Sequence, residues 1–143
     1  MVFRFQDDYD TLAEPCPPKH YQPHNRGEVY RWTFEAIDDS RNFQSQYHKN
    51  PKRFQQKSDI IKCQALGLSC FDNLEGAKER FFELLDDIGE KVYQMVGNKI
   101  AKGSLLKADG VCGKVERLGH FTYHPAKEVE LIARFTILES EKL

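Results

Sequence analysis

A chain of 143 residues is long enough for one domain that buries roughly two thirds of its unfolded surface, and too short to divide comfortably into two. Its 21 basic and 22 acidic residues give a formal net charge of -1 and are spread along the sequence, which excludes a global electrostatic draw to nucleic acid or anionic lipid. Charged residues make up 30%, yet ten Phe, six Tyr and one Trp supply more large apolar surface than a disordered chain carries.

Cys16, Cys63, Cys70 and Cys112 stand far apart, and no charged n-region followed by an apolar h-region opens the sequence. Together these features predict a soluble, cytoplasmic protein with reduced thiols and no disulfide framework. No apolar run approaches the ~20 residues of a membrane-spanning helix, so no membrane partner is expected.

Met1 to Arg26 holds Pro15, Pro17, Pro18 and Pro23, and proline removes amide donors and restricts its neighbours; an extended arm over residues 1–26 is expected, ahead of one domain at 27–143. Phe3, Phe5 and Tyr9 alternate in a way that suits a short edge strand at its start. From Glu28 to Ile37 the β-branched and aromatic residues predict a strand. Period two puts Tyr30, Trp32 and Phe34 on one face, Arg31 and Thr33 on the other. Asp38, Asp39 and Ser40 then offer caps for a short helix through Phe43 and Tyr47, which Asn50-Pro51 breaks. Lys52 to Lys62 resists assignment, although Phe54, Ser58 and Ile61 suit a second short helix.

Ala65 to Phe71 is an apolar run of the length of a buried strand. Asp72 and Asn73 can cap the helix that follows, where Leu74, Ala77, Phe81, Leu84 or Leu85, Ile88, Val92 and Met95 form one apolar stripe. Gly89 costs that helix roughly 1 kcal/mol relative to Ala, so it ends there or continues to Val96. Ile100 to Lys107 and Val111 to Leu118, joined at Ala108-Asp109-Gly110, predict a hairpin. His120 to His124 extends the sheet to Pro125, and the alternation of Val129, Leu131, Ala133, Phe135 and Ile137 predicts a last half-buried strand. The expected fold is a single α+β domain with a mainly antiparallel sheet, one long amphipathic helix and short helices.

The densest collection of chemically useful side chains is Gly119 to Glu130, with two imidazoles, two carboxylates, two aromatic rings and a hydroxyl. On a strand His120, Thr122 and His124 share a face, the two imidazoles about 13 Å apart, too far to share a metal. Cys16, His20 and His24 have a four-residue spacing, but the intervening prolines preclude the helix that would bring them together, and no zinc motif is present. The glycines match neither the Rossmann nor the Walker spacing. Ser69 and Cys70 lack a sequence-visible base, and Cys70 is best read as core packing. Between Arg41 and Lys62, basic residues interleave with Phe43, Tyr47 and Phe54. A solvated helical face explains this better than a phosphate-backbone contact, because the rest of the chain has no basic excess.

A strand bearing Tyr30-Arg31, a Gly67-Leu68-Ser69 strand leading into a helix with Glu75 and Ala77, and Glu128-Val129-Glu130 opening a last strand resemble, in that order, ADP-ribosyltransferase-like domains of the arginine, serine, glutamate type. The resemblance spans Val29 to Ile137 in element order and about seven positions by motif. It implies NAD as cofactor, with Arg31 holding the dinucleotide, Ser69 supporting the nicotinamide-ribose site, Glu130 holding a ribose hydroxyl and Glu128 addressing the acceptor. Loss of nicotinamide develops oxocarbenium-like charge that a nearby carboxylate stabilises. The family's Ser-Thr-Ser triplet is here Leu68-Ser69-Cys70, a departure. Related RNA phosphotransferase-like domains grip phosphates with arginine and histidine, a variant that Arg31 and His120 would suit.

Three expectations from different classes follow. One is an ADP-ribosyltransferase-like protein, active or degenerate, that binds NAD or another nucleotide with Arg31, Ser69 and Glu130 in one cleft. The second is a non-catalytic module with a protein partner and an exposed aromatic patch. The third, less favoured, is an RNA-binding protein with a basic ridge at Arg41 to Lys62.

Overall fold

The computed structural model describes residues 1–143. In chain order the elements are α1 (Gln6–Tyr9), β1 (Arg26–Thr33), α2 (Gln46–Lys49), α3 (Asp59–Leu66), β2 (Leu68–Phe71), α4 (Leu74–Ile88), α5 (Lys91–Val96), β3 (Lys99–Leu105), β4 (Gly110–Cys112), β5 (His120–Pro125), α6 (Leu131–Arg134) and β6 (Phe135–Lys142), with 3₁₀ turns between several of them. The six strands form one sheet in the order β4-β5-β2-β1-β3-β6, and every pairing is antiparallel. This is the α+β architecture that the alternation of patterns predicts. No helix is long and apolar enough to cross a membrane.

The sheet is two three-stranded halves joined by a narrow seam. β2 pairs with β5 over four positions and β1 with β3 over six, yet β1 and β2 share one register pair, Tyr30 with Phe71. Past that pair the facing edges of β1 and β2 have no ladder between them, and a cavity opens there.

On one face Tyr30, Phe71 and Ile100 pack with Ala77 of α4, and Trp32 donates its indole N–H to the Ala77 carbonyl at 2.8 Å. The apolar stripe of α4 and α5 continues this layer through Phe81, Val92 and Val96. Asn73 caps α4 by accepting from the Gly76 amide at 2.7 Å. The Arg117–Gly119 turn lies against this first turn so closely that a Cβ on Gly76 would meet the Leu118 carbonyl oxygen at 1.7 Å. That close approach fixes where β5 begins, and so fixes His120. The other face carries the larger core, with Val29, Leu68, Cys70, Phe121, Tyr123 and Phe135 among its members.

Several local expectations are corrected. The hairpin at Asp109-Gly110 does not form: β3 pairs with β1 and β6, and β4 crosses to the far edge to pair with β5. Asp109 is drawn into a 3₁₀ turn instead, accepting from the Leu106 amide at 2.7 Å and from Arg134 at 3.0 Å. The Ala65–Phe71 run is split, because Ser58 caps α3 and Cys63 and Leu66, three apart, bury on its inner side; the strand starts only at Leu68. The last strand starts at Phe135 and not at Val129. Leu131 and Phe135 are four apart and both buried, a spacing that the single turn α6 serves as well as a strand does.

Met1 to Arg26 is more tightly integrated than a loose arm. It contains α1, bridges Phe3 to Ala126 and Gln22 to Cys112, and buries Tyr9, whose hydroxyl meets His124 Nδ1 at 2.7 Å. The expectation of four reduced thiols is also corrected: Cys16 and Cys63 form a disulfide that ties this segment to α3, while Cys70 and Cys112 are free and buried. The backbone pattern of isolated, widely spaced cysteines holds no information about this pairing, which depends on the tertiary path of the segment.

Candidate functional site

A cavity of about 760 Å³ lies over the seam between the two half-sheets. Its floor is Trp32 on β1, Leu68 and Ser69 on β2, and His120 and Thr122 on β5. α3, α4 and α5 supply walls, the Lys114–Arg117 connection a rim, and Tyr21 of the N-terminal segment closes one side. The volume is within the roughly 300–1,000 Å³ of small-molecule sites.

Its lining is strongly one-signed. Arg31, Lys49, Arg53, Arg80, Lys114 and Arg117 face Glu116 as the one carboxylate. Arg80 and Arg117 are both paired with Glu83, Arg117 through both guanidinium nitrogens. Arg31, Lys49, Arg53 and Lys114 enter no ion pair. A chain of balanced net charge thus gathers six of its 21 basic residues around one concave space, where the field is focused.

Arg31 is the deepest of these cations. By strand alternation it leaves β1 on the face opposite Trp32, and its guanidinium fills the gap in the seam. It donates from Nη1 to the Ser69 carbonyl, which the unpaired edge of β2 leaves without a strand partner, and from Nη2 to the Asn42 carbonyl at 2.8 Å. The residue is 6% exposed, and its Nε has no partner. The Phe43 ring lies 5.8 Å from Cζ. Two carbonyls and a ring face compensate a buried cation incompletely, and burying an unpaired charge costs several kcal/mol. Lys49, 3.1 Å from the Met95 carbonyl, shows the same local excess: burial, reinforced by Arg31 and Arg41, holds its ammonium pKa down to about 8.

Ser69 is exposed into the cavity, and its hydroxyl lies 3.0 Å from His120 Nε2. The two are cross-strand neighbours: Ser69 registers with Thr122, and His120 is two residues before Thr122 on the same sheet face. The His120 ring is held edge-on to Phe71 at 5.4 Å. Burial pushes its pKa below the usual imidazole range; Glu116 opposes that shift, and Arg80 adds to it. Ser69 thus has an imidazole within hydrogen-bond reach, which the sequence did not reveal because the partner is 51 residues away.

Arg31, Ser69 and His120 are thus brought to one cavity. No family model, curated protein or solved structure matches this chain. The two glutamates of the resemblance stand elsewhere. Glu128 is in an exposed turn, and Glu130 precedes α6 and lines a separate hollow of about 220 Å³ with Arg4, Asp38 and Asp39. They do not lie on a strand, contrary to the alternation.

His124, one strand turn beyond Thr122, is fully buried against Tyr9 and Tyr21, with burial holding its pKa down to about 4. His20 and His24 are exposed, and Cys16 is committed to the disulfide. Lys49, Arg53 and Phe54 turn inward to the cavity, so the basic and aromatic interleaving of Arg41 to Lys62 was a usable signal for part of the lining. Tyr21, Arg80, Lys114 and Arg117 left none, since they come from the N-terminal segment, α4 and the β4–β5 connection, which no local pattern brings together.

Proposed function

We propose that the chain binds a phosphorylated, nucleotide-class ligand in the cleft between its half-sheets. The observation that carries this is the buried guanidinium of Arg31, held by two carbonyls and the Phe43 ring with no carboxylate, in a cavity lined by four unpaired cations, two more paired with Glu83, and one carboxylate. An anion seated there completes the coordination of Arg31 and lets Lys49 keep its proton, interactions of the charge-assisted kind. Tyr21, Trp32 and Phe54 supply aromatic surface at the same cavity for a base.

The resemblance to ADP-ribosyltransferase-like domains supports the same ligand class through Arg31 and Ser69, and makes NAD the first ligand to test. With Glu128 and Glu130 outside the cavity, binding is proposed and ADP-ribosyl transfer is not. A protein-docking role draws less support: Phe82 is the one aromatic among the exposed large apolar residues, and the others are scattered.

The test is a thermal-shift panel with NAD, ADP-ribose, AMP, ADP and divalent metals. A ligand at a hundred times its dissociation constant adds about 2.7 kcal/mol, a shift of several degrees. Stabilisation by the phosphorylated compounds, reduced in Lys49→Gln, is expected; a flat panel would remove the proposal.

A further inference from the structure

We infer that Ser69 is a nucleophile and His120 its general base, and that the cleft cleaves a phosphate ester through a phosphoseryl intermediate. The identity of the substrate rests on the phosphorylated-ligand reading above; the nucleophile itself rests on independent geometry. Three observations converge on it. The Ser69 hydroxyl is exposed into a cavity while its backbone is fixed in β2 between β5 and the Arg31 guanidinium. His120 Nε2 is within hydrogen-bond reach of that hydroxyl at 3.0 Å, and Phe71 orients the ring. The cations around the pair suit a phosphorus centre carrying negative charge, which an acyl ester would not need.

The chemistry closes without a further reactant except water. In the tautomer with its proton on Nδ1, His120 accepts the Ser69 proton at Nε2 as the Oγ–P bond forms and the bond from phosphorus to the ester oxygen breaks. The departing alkoxide, in line with and opposite Oγ, takes its proton from a water molecule. The hydroxide so formed attacks the phosphoserine from that same side, the Oγ–P bond breaks, and Nε2 returns its proton to Oγ with release of inorganic phosphate. Arg80 and Arg117, anchored by Glu83, line the same cavity and can hold the phosphoryl oxygens. Cys70, the neighbouring thiol, is no competitor: it is fully buried on the opposite face of β2, with burial raising its pKa to about 12.

The experiment reads nucleophilicity directly. The purified protein is incubated with a fluorophosphonate, in which attack by Oγ forms an O–P bond and releases fluoride, and the adduct is located by peptide mass spectrometry. Labelling confined to Ser69 is expected, absent in Ser69→Ala, slowed at least a hundredfold in His120→Gln, and slowed by millimolar inorganic phosphate or pyrophosphate. No adduct on Ser69 in the folded protein would overturn the nucleophile. Equal labelling of His120→Gln would overturn the base, and labelling indifferent to both anions would overturn the phosphate-ester substrate. Because nucleotide affinity is measured separately, a protein that binds ADP without labelling sinks this inference and leaves the binding reading intact.

Discussion

Arg31 shows how one side chain can do what a strand ladder does elsewhere. Its Nη1 donates to the Ser69 carbonyl at the unpaired edge of β2, so it stitches the two half-sheets where backbone pairing stops. The same position leaves a cation at the cavity base. Lys49 provides the titratable reporter. Its charge is lost as pH rises through about 8, and an anion favours the charged form, so binding takes up a proton there and affinity falls above that pH. Calorimetric titration from pH 7 to 9.5 should show roughly tenfold weakening, and Lys49→Gln should be weak throughout with a flat profile. A profile unchanged by that substitution would exclude Lys49 from the ligand.

His124 belongs to stability. Its folded pKa near 4 is below the unfolded value of 6.5, so between these limits the unfolded chain binds the proton more readily and stability falls as pH falls. The displacement corresponds to roughly 3 kcal/mol, fully present above 6.5 and gone by about 4. Urea unfolding at pH 7 and pH 4.5 measures it, and His124→Gln should lose part of the difference; identical acid sensitivity in the variant would contradict the assignment. Of the residues singled out in the sequence, Arg31, Ser69 and His120 were found through resemblance and composition. Their grouping was not legible, because it depends on a seam that no local pattern encodes.

At the scale of elements, the strands and helices with long uninterrupted patterns were readable: β5 and the α4 stripe stand where their periodicity puts them, and β1 is a strand, though over Arg26–Thr33 and not Glu28 to Ile37. Short segments were not. The Asp109-Gly110 pair signals a hairpin in isolation, but Arg134 and the Tyr123 hydroxyl bind Asp109 and steer β4 across the sheet. Val129 to Phe135 satisfies both periods at its buried positions, so alternation alone could not choose. Glycines test the packing between elements. Gly97 has φ +82° and a Cβ there would meet the Thr33 carbonyl oxygen at 2.2 Å; Gly89 has φ +71° but open space. Both substitutions to Ala carry a backbone cost of roughly 1–3 kcal/mol, and Gly97→Ala should be the worse of the two because β1 must also move. Equal losses in chemical denaturation would argue against the close approach of the α5 end to β1.

For the molecule as a whole, the N-terminal segment acts as a strap. The Cys16–Cys63 bond closes 47 residues of sequence, and Tyr21 at the far end of the strap reaches the cavity beside His124. Removing the bond with Cys16→Ser and Cys63→Ser should cost about 2–4 kcal/mol by restoring freedom to the unfolded chain. The double variant should match the reduced wild type in midpoint, and a difference between them would point to a role for the thiols themselves. Chain length bounded the domain size and the order of strand and helix patterns the α+β class, but near-neutral net charge concealed the basic cleft, because acidic residues elsewhere balance it.

The most direct measurement of the central claim is calorimetric titration of the intact protein with ADP and with adenosine, at two salt concentrations. ADP should bind, at least tenfold tighter than adenosine, with affinity falling as salt rises and falling again in Lys49→Gln with Arg53→Gln. Equal affinities for ADP and adenosine, or no heat from ADP, would contradict an anion-holding cleft between the half-sheets.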